Sequence, residues 1–194
     1  MDQTTSKPHR MAVTGHRFIP GDLRLDDALR RVFSGVVEAH RGYGVHLYSA
    51  LAEGADQFAA RVAQEFDTIS LVVPLPLPEE TYLASFSSDA GRQGFTDLLP
   101  SSAAVIRLPE PGGNQTAYQA LGTYLVEKCD ALIAIWNGQF NHRKGGTGEV
   151  VKMALAAGKP VHWIYCPNLQ GGAIDDPANP KEIGTIELLI PPDC

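Results

Sequence analysis

The sequence predicts an α/β protein with a three-layer Rossmann-like fold, a mostly parallel sheet of about six or seven strands between two layers of helices. Two observations predict it. Short runs such as "ALIAIW" (Ala131–Trp136) are apolar throughout, which marks strands buried on both faces rather than half-exposed ones. Such runs alternate along the chain with longer segments whose apolar residues recur at helical spacing, the pattern of successive parallel crossovers.

Each element has its own signal. "MAVTG" (Met11–Gly15) is a buried strand ended by glycine. Asp22 stands where it can cap a helix in which Leu25, Leu29, Val32, Val36 and Val37 form one apolar face. "VHLYSAL" (Val45–Leu51) is the second strand, and Gly54-Ala55-Asp56 opens a helix through Phe66. "ISLVVPLPLP" is the third, expected to stop at Pro74, Pro76 and Pro78 because proline cannot extend a ladder. "EETYLASFSSDAGRQGFTDLL" is helical but interrupted by serines and glycines. "AAVIRLP" is the fourth strand, and a helix follows from about Gln115. Ala131–Trp136 is the fifth strand and "PVHWIYC" the sixth. The tail from Pro167 is loop-rich, with "IELLIP" as a short edge strand.

The chain has 194 residues, enough for one domain with a sizeable core. Residues 1–10 are expected to be a flexible tail and 11–194 a single domain. The formal charge is −6 and the basic residues are scattered, so a nucleic-acid partner is not expected. Cys129, Cys166 and Cys194 have no metal-ligand spacing and read as reduced thiols of a cytoplasmic protein. No apolar run approaches the ~20 residues of a membrane helix, and no metal is expected.

Three loops at strand ends carry the candidate chemistry. In "TGHR", Thr14 and Gly15 admit close approach, while His16 and Arg17 offer hydrogen bonds and charge to an anion. In "SALAEGAD", Ser49 ends the strand, and Gly54 and Ala55 bring bare amides to a helix start suited to phosphate. Asp56 would cap that helix or accept from a ribose hydroxyl. In "GGTGE", Gly145, Gly146 and Thr147 form a cradle at a second helix start. Glu149 sits in the first turn, placed to hold a sugar or to act at an anomeric carbon. Tyr118 and Trp136 are further candidates, either as surfaces for a base or as packing, and Tyr82 and Phe86 as a lid edge or a helix stripe.

"VTGHR", "SALAEGADQFAARVA" and "CDALIAIWNGQFNHRKGGTGEVVKMALAAGKPV" together resemble the SLOG superfamily, the group of the DprA/Smf and LOG proteins. The resemblance spans about Met11 to Tyr165. It implies a Rossmann-like domain that binds a nucleotide or nucleotide-derived ligand as a sensor or carrier, with no required cofactor and a homodimeric state. Gly15, Gly54, Asp56, Gly145, Gly146, Thr147 and Glu149 match its motif positions. LOG enzymes, which cleave nucleoside monophosphates, carry their glutamate three residues after the threonine; Glu149 is two after Thr147. A likeness to nucleoside 2-deoxyribosyltransferases gives the alternative, an N-glycosidic hydrolase or transferase with Glu149 as its catalytic carboxylate.

Overall fold

The computed structural model describes residues 7–111, 116–140, 145–169 and 181–191. Seven strands form one sheet: β1 (His9–Gly15), β2 (Val45–Tyr48), β3 (Ile69–Leu75), β4 (Ala104–Arg107), β5 (Ala131–Trp136), β6 (Val161–Tyr165) and β7 (Ile186–Leu189). Their order is β4-β3-β2-β1-β5-β6-β7, and every neighbouring pair is parallel except β6 and β7. The helices are α1 (Leu23–Ala39), α2 (Ala55–Ala63), α3 (Glu79–Ala84), α4 (Asp89–Leu98), α5 (Ala117–Lys128) and α6 (Thr147–Ala156). α2 packs against both α1 and α4, whereas α5 and α6 pack against each other. The architecture is the three-layer, Rossmann-like one that the alternation predicts.

Local chemistry explains most boundaries. Asp22 caps α1 by accepting from the Arg24 amide, Ser88 caps α4 through the Gly91 amide, and Thr116 with Gln119 forms a capping box on α5. β5 is buried at all six positions, as a strand between two others and beneath two helix layers must be. The apolar face of α1, including Leu25, Leu29, Val32 and Val36, is buried against the sheet.

Among the boundaries that differ from expectation are three on strands. β1 begins at His9, two residues inside the expected tail, and residues 1–6 of that tail lie outside the described residues. β2 ends at Tyr48, before Leu51 turns into the left-handed region at φ 56°. Pro74 lies within β3 instead of ending it. The Leu71 and Leu75 carbonyls accept from Ala103 and Leu108 on the β4 side, and the Val72 carbonyl accepts from Ser49 on the β2 side. Strand alternation therefore turns the Pro74 nitrogen toward the β2 side, beyond the last β2 pair at Tyr48 and Val72, where no ladder donor is required.

The sheet grows from β1 through β2, β3 and β4 in one direction, and from β5 through β6 and β7 in the other. The reversal between β1 and β5 opens a crevice beyond their carboxyl ends. The strands there are held unusually close to α2. A Cβ on Gly15 would stand 2.4 Å from both the Ala55 Cβ and the Ile135 carbonyl oxygen. Gly15→Ala is expected to lower stability by about 3 kcal/mol, since neither strand nor helix backbone can yield cheaply; urea unfolding measures the loss.

Candidate functional site

A cleft of about 360 Å³ lies at this reversal. Its lining comes from the β1–α1 loop, the start of α2, the α3 region, α5, the end of β5 and the first turn of α6.

The β1–α1 loop is fixed by its backbone. The His16 amide donates to the Ile135 carbonyl at 3.0 Å, and the His16 carbonyl accepts from the Ala55 amide at 3.0 Å. The Asn137 amide donates to His16 Nε2 at 3.0 Å. An accepting Nε2 carries no proton, so the imidazole is neutral in this arrangement. His16 was expected to offer charge to an anion; its ring instead ties the loop after β1 to the loop after β5. The charge on this loop is Arg17, whose guanidinium carbon stands 5.8 Å from the Tyr118 ring centroid. Thr14, Gly15, His16 and Arg17 all line the cleft.

The start of α2 departs from expectation. Gly54 has φ 83°, and a Cβ there would lie 2.3 Å from the Arg17 carbonyl oxygen and 2.4 Å from that of His16. The anion position expected at Gly54 and Ala55 is thus filled by the protein's own carbonyls, and neither residue lines the cleft. Ser49 is also absent from the lining. It is buried, donating from Oγ to the Asp56 carbonyl at 3.1 Å and accepting from the Leu51 amide at 3.2 Å. Both departures have one cause. The residues are small because another segment of chain packs on them.

Asp56 does reach the cleft. Burial pushes its carboxyl up to about 7, against the opposing pull of the Ala52 and Ala50 backbone amides and the Arg17 charge. Beside it, burial and the Asp56 charge push the Tyr82 phenol well above its ordinary value. Tyr82 is fully buried among Phe86, Phe95 and Tyr118, and its hydroxyl has no hydrogen-bond partner among the described residues.

At the third loop, Gly145 has φ 71°, a conformation that favours glycine, and a Cβ there would press on Tyr118 at 3.0 Å. Its amide donates to the Glu149 carboxylate. Gly146 is the N-cap of α6 and supplies no side-chain hydrogen bond. Thr147 is the first helical residue. Gly145, Gly146, Thr147 and Gly148 line the cleft, while Glu149 does not. Its carboxylate braces its own loop, one residue before the N-cap amide that a capping box would engage. Asn141 to Lys144 just before it, Arg143 among them, lie outside the described residues.

Tyr118 lines the cleft and donates from its hydroxyl to Ser85 Oγ at 3.3 Å. Trp136 lines it as well but is only 2% exposed, set edge-on to Phe140 with ring centroids 5.0 Å apart. It is therefore no open surface for stacking a base. Glu53, which the sequence did not single out, is 7% exposed and accepts from the amide and hydroxyl of both Ser87 and Ser88. Burial alone would raise its carboxyl; these four bonds outweigh it and hold the group below its ordinary value. Glu53 in this way fixes Ser87, another lining residue, and the start of α4.

The sheet order, its reversal and the cleft beyond the strand ends define a Rossmann-like α/β protein. No family model matches the chain, and no curated protein matches it. Among solved structures it is similar to a chain described as "X-ray structure of TM1055 Northeast Structural Genomics Consortium target VT76". The identity is 16% and the TM-score 0.49, with 79% of this chain and 72% of that one covered. At that distance the likeness bears on neither ligand nor activity. Among the described residues, no helix is long and apolar enough to cross a membrane.

Two outcomes test the electrostatics. A raised carboxyl binds its proton more tightly folded than unfolded, so Asp56 lowers stability as pH climbs from its ordinary value of 3.8 through about 7. Asp56→Asn is accordingly expected to favour the folded state more at pH 8 than at pH 5, in parallel urea titrations. Glu53 has the opposite sign. Its contribution is full above its unfolded value and is lost as pH falls through the lower folded one. Glu53→Ala is expected to cost about 3 kcal/mol near neutral pH, with faster amide exchange at Ser87 and Ser88.

Proposed function

We propose that the chain binds a nucleotide or nucleotide-derived ligand in this cleft, as a SLOG-type sensor or carrier that works as a homodimer in the cytoplasm. The observation that carries the reading is the uncapped start of α6, open to the same cleft as Arg17. The first-turn amides of a helix are orphan donors and its dipole favours an anion. α1, α4 and α5 satisfy theirs with Asp22, Ser88 and Thr116, and α2 uses the His16 carbonyl. In α6 the Thr147 hydroxyl and the Gly146–Gly148 backbone would meet a phosphate, and Arg17 would supply the countercharge. Asp56, with acceptor lone pairs left at the cleft wall, would hold a sugar hydroxyl. No cofactor is required for this role.

The placement of Glu149 favours holding a ligand over cutting it. A nucleophile or acid at an anomeric carbon must face the reacting atom, and this carboxylate faces the Gly145 amide. The N-glycosidic reading retains one supporting feature, the Asp56 carboxyl, which titrates near neutrality in the cleft wall and would protonate a leaving base.

Titration calorimetry with AMP, GMP, CMP, UMP and ribose 5-phosphate tests the binding reading. Binding that weakens with added salt, and falls about tenfold in Arg17→Ala, is the expected outcome. No binding by any of these probes would overturn it. Chromatography of the same mixtures after long incubation is expected to show no free base; release abolished by Asp56→Asn would replace binding with hydrolysis.

A further inference from the structure

Among the described residues that line the cleft, Arg17 and Asp56 are the two that carry charge. The His16 imidazole is neutral, accepting from the Asn137 amide, and the other polar lining consists of hydroxyls, carboxamides and backbone. With Arg17 and Asp56 both ionised, this lining has no net charge. With a proton on Asp56 it has one positive charge. The two groups come from segments pinned together, since the His16 carbonyl accepts from the Ala55 amide at 3.0 Å.

Asp56 is 8% exposed. Its ionised form rests on the Ala52 and Ala50 amides and on the Arg17 charge. The ionisable groups on the surrounding elements have partners of their own. Glu53, just before α2, is bonded to Ser87 and Ser88, and Arg61 of α2 to Gln57. Arg30 of α1 is bonded to Glu65, and Arg10 of β1 to Asp130. Arg92 of α4 donates to the Phe86 carbonyl and to Asp89, and Tyr118 of α5 donates to Ser85. Tyr82 of α3 keeps its proton, because burial and the Asp56 charge raise its phenol.

An anion at the start of α6 would meet the same guanidinium. Arg17 is then shared between the anion and Asp56, and the anion adds its own negative charge to the field at the carboxyl. Both changes disfavour the ionised carboxylate, and a wall of low dielectric strengthens them. We infer that the cleft takes up a proton on Asp56 with each anionic ligand, because one cation, Arg17, serves both the carboxylate and the anion. This deepens the binding reading above and rests on it for a phosphate at the α6 start. The ligand need not touch the carboxyl, since the coupling runs through the shared charge.

In the free protein burial already pushes the carboxyl up to about 7, and a bound anion moves it higher. Below both values the proton is present beforehand and none is taken up. Between them binding weakens as pH rises, by at most about tenfold per pH unit for a single proton. A phosphate monoester completes its second ionisation near pH ~6, so its own titration lies below this window.

Calorimetric titrations of native protein and Asp56→Asn test this, with AMP, GMP, CMP, UMP, their four nucleosides and ribose 5-phosphate. They run from pH 7 to pH 8.5 in two buffers of unlike ionisation enthalpy, which reveals proton uptake. The expected result is uptake with the phosphate compounds and affinity about tenfold weaker at the upper pH, both lost in Asp56→Asn. Nucleosides are expected to show neither. Phosphate binding without proton uptake, or with uptake that persists in Asp56→Asn, would overturn the inference and leave the phosphate reading intact. Equal uptake with nucleosides would also overturn it, because the proton would then follow the base or sugar. Nucleosides that bind while no phosphate compound does, or binding by none of the probes, would end both readings.

A second measurement needs no ligand. A carbon-13 spectrum follows the Asp56 carboxyl through its titration in the free protein. Arg17→Ala removes the shared charge and is expected to move the midpoint upward, whereas Arg17→Lys is expected to hold it near the native value. A midpoint unmoved in Arg17→Ala, or moved equally in both variants, would overturn the inference.

Discussion

The whole site depends on a close approach of backbone to backbone at two glycines. Gly15 and Gly54 have no Cβ, and any Cβ there would fall within 2.5 Å of a carbonyl oxygen. Their smallness lets the β1–α1 loop lie across the start of α2 while its other side bonds to the end of β5. Three consequences follow from that one constraint. The α2 amides are consumed internally, the His16 ring is committed as an acceptor, and Arg17 emerges at the cleft beside Asp56. The proposed anion position is accordingly the start of α6 and not that of α2, where the glycines suggest it.

The elements were legible because each has a local cause. The apolar run of β5, the spacing of Leu25, Leu29, Val32 and Val36, and the Asp22 cap are all statements about neighbours in sequence. The order β4-β3-β2-β1-β5-β6-β7 was not legible in this way, because alternation does not say after which strand an open sheet reverses. Pro74 was harder, since its tolerance depends on where β2 ends, a fact written some 25 residues away.

The site was only partly legible, for a related reason. A glycine signals that something comes close and does not say what. At Gly54 the visitor is the protein's own carbonyl; at Gly148 it is an indole from the sheet. A carboxylate likewise signals a partner without naming it. Glu149 finds the Gly145 amide four residues back, and Asp56 finds two amides and a cleft. Glu53, unremarkable in sequence, finds two serines 34 and 35 positions further on. No spacing rule reaches that far.

The bond from the Asn137 amide to His16 Nε2 has one more consequence. Together with the His16 amide bond to Ile135, it continues the pairing of β1 and β5 past the point where their ladder stops. The two strands that flank the switch point are therefore stitched beyond their ends, making the sheet side of the cleft a stiff jaw. The opposite side is built from side-chain packing instead, with the Tyr118 ring set against Arg17 and Tyr82 and its hydroxyl donating to Ser85. In mechanical terms the two walls differ in kind, one stitched by backbone hydrogen bonds and the other held by contacts among side chains.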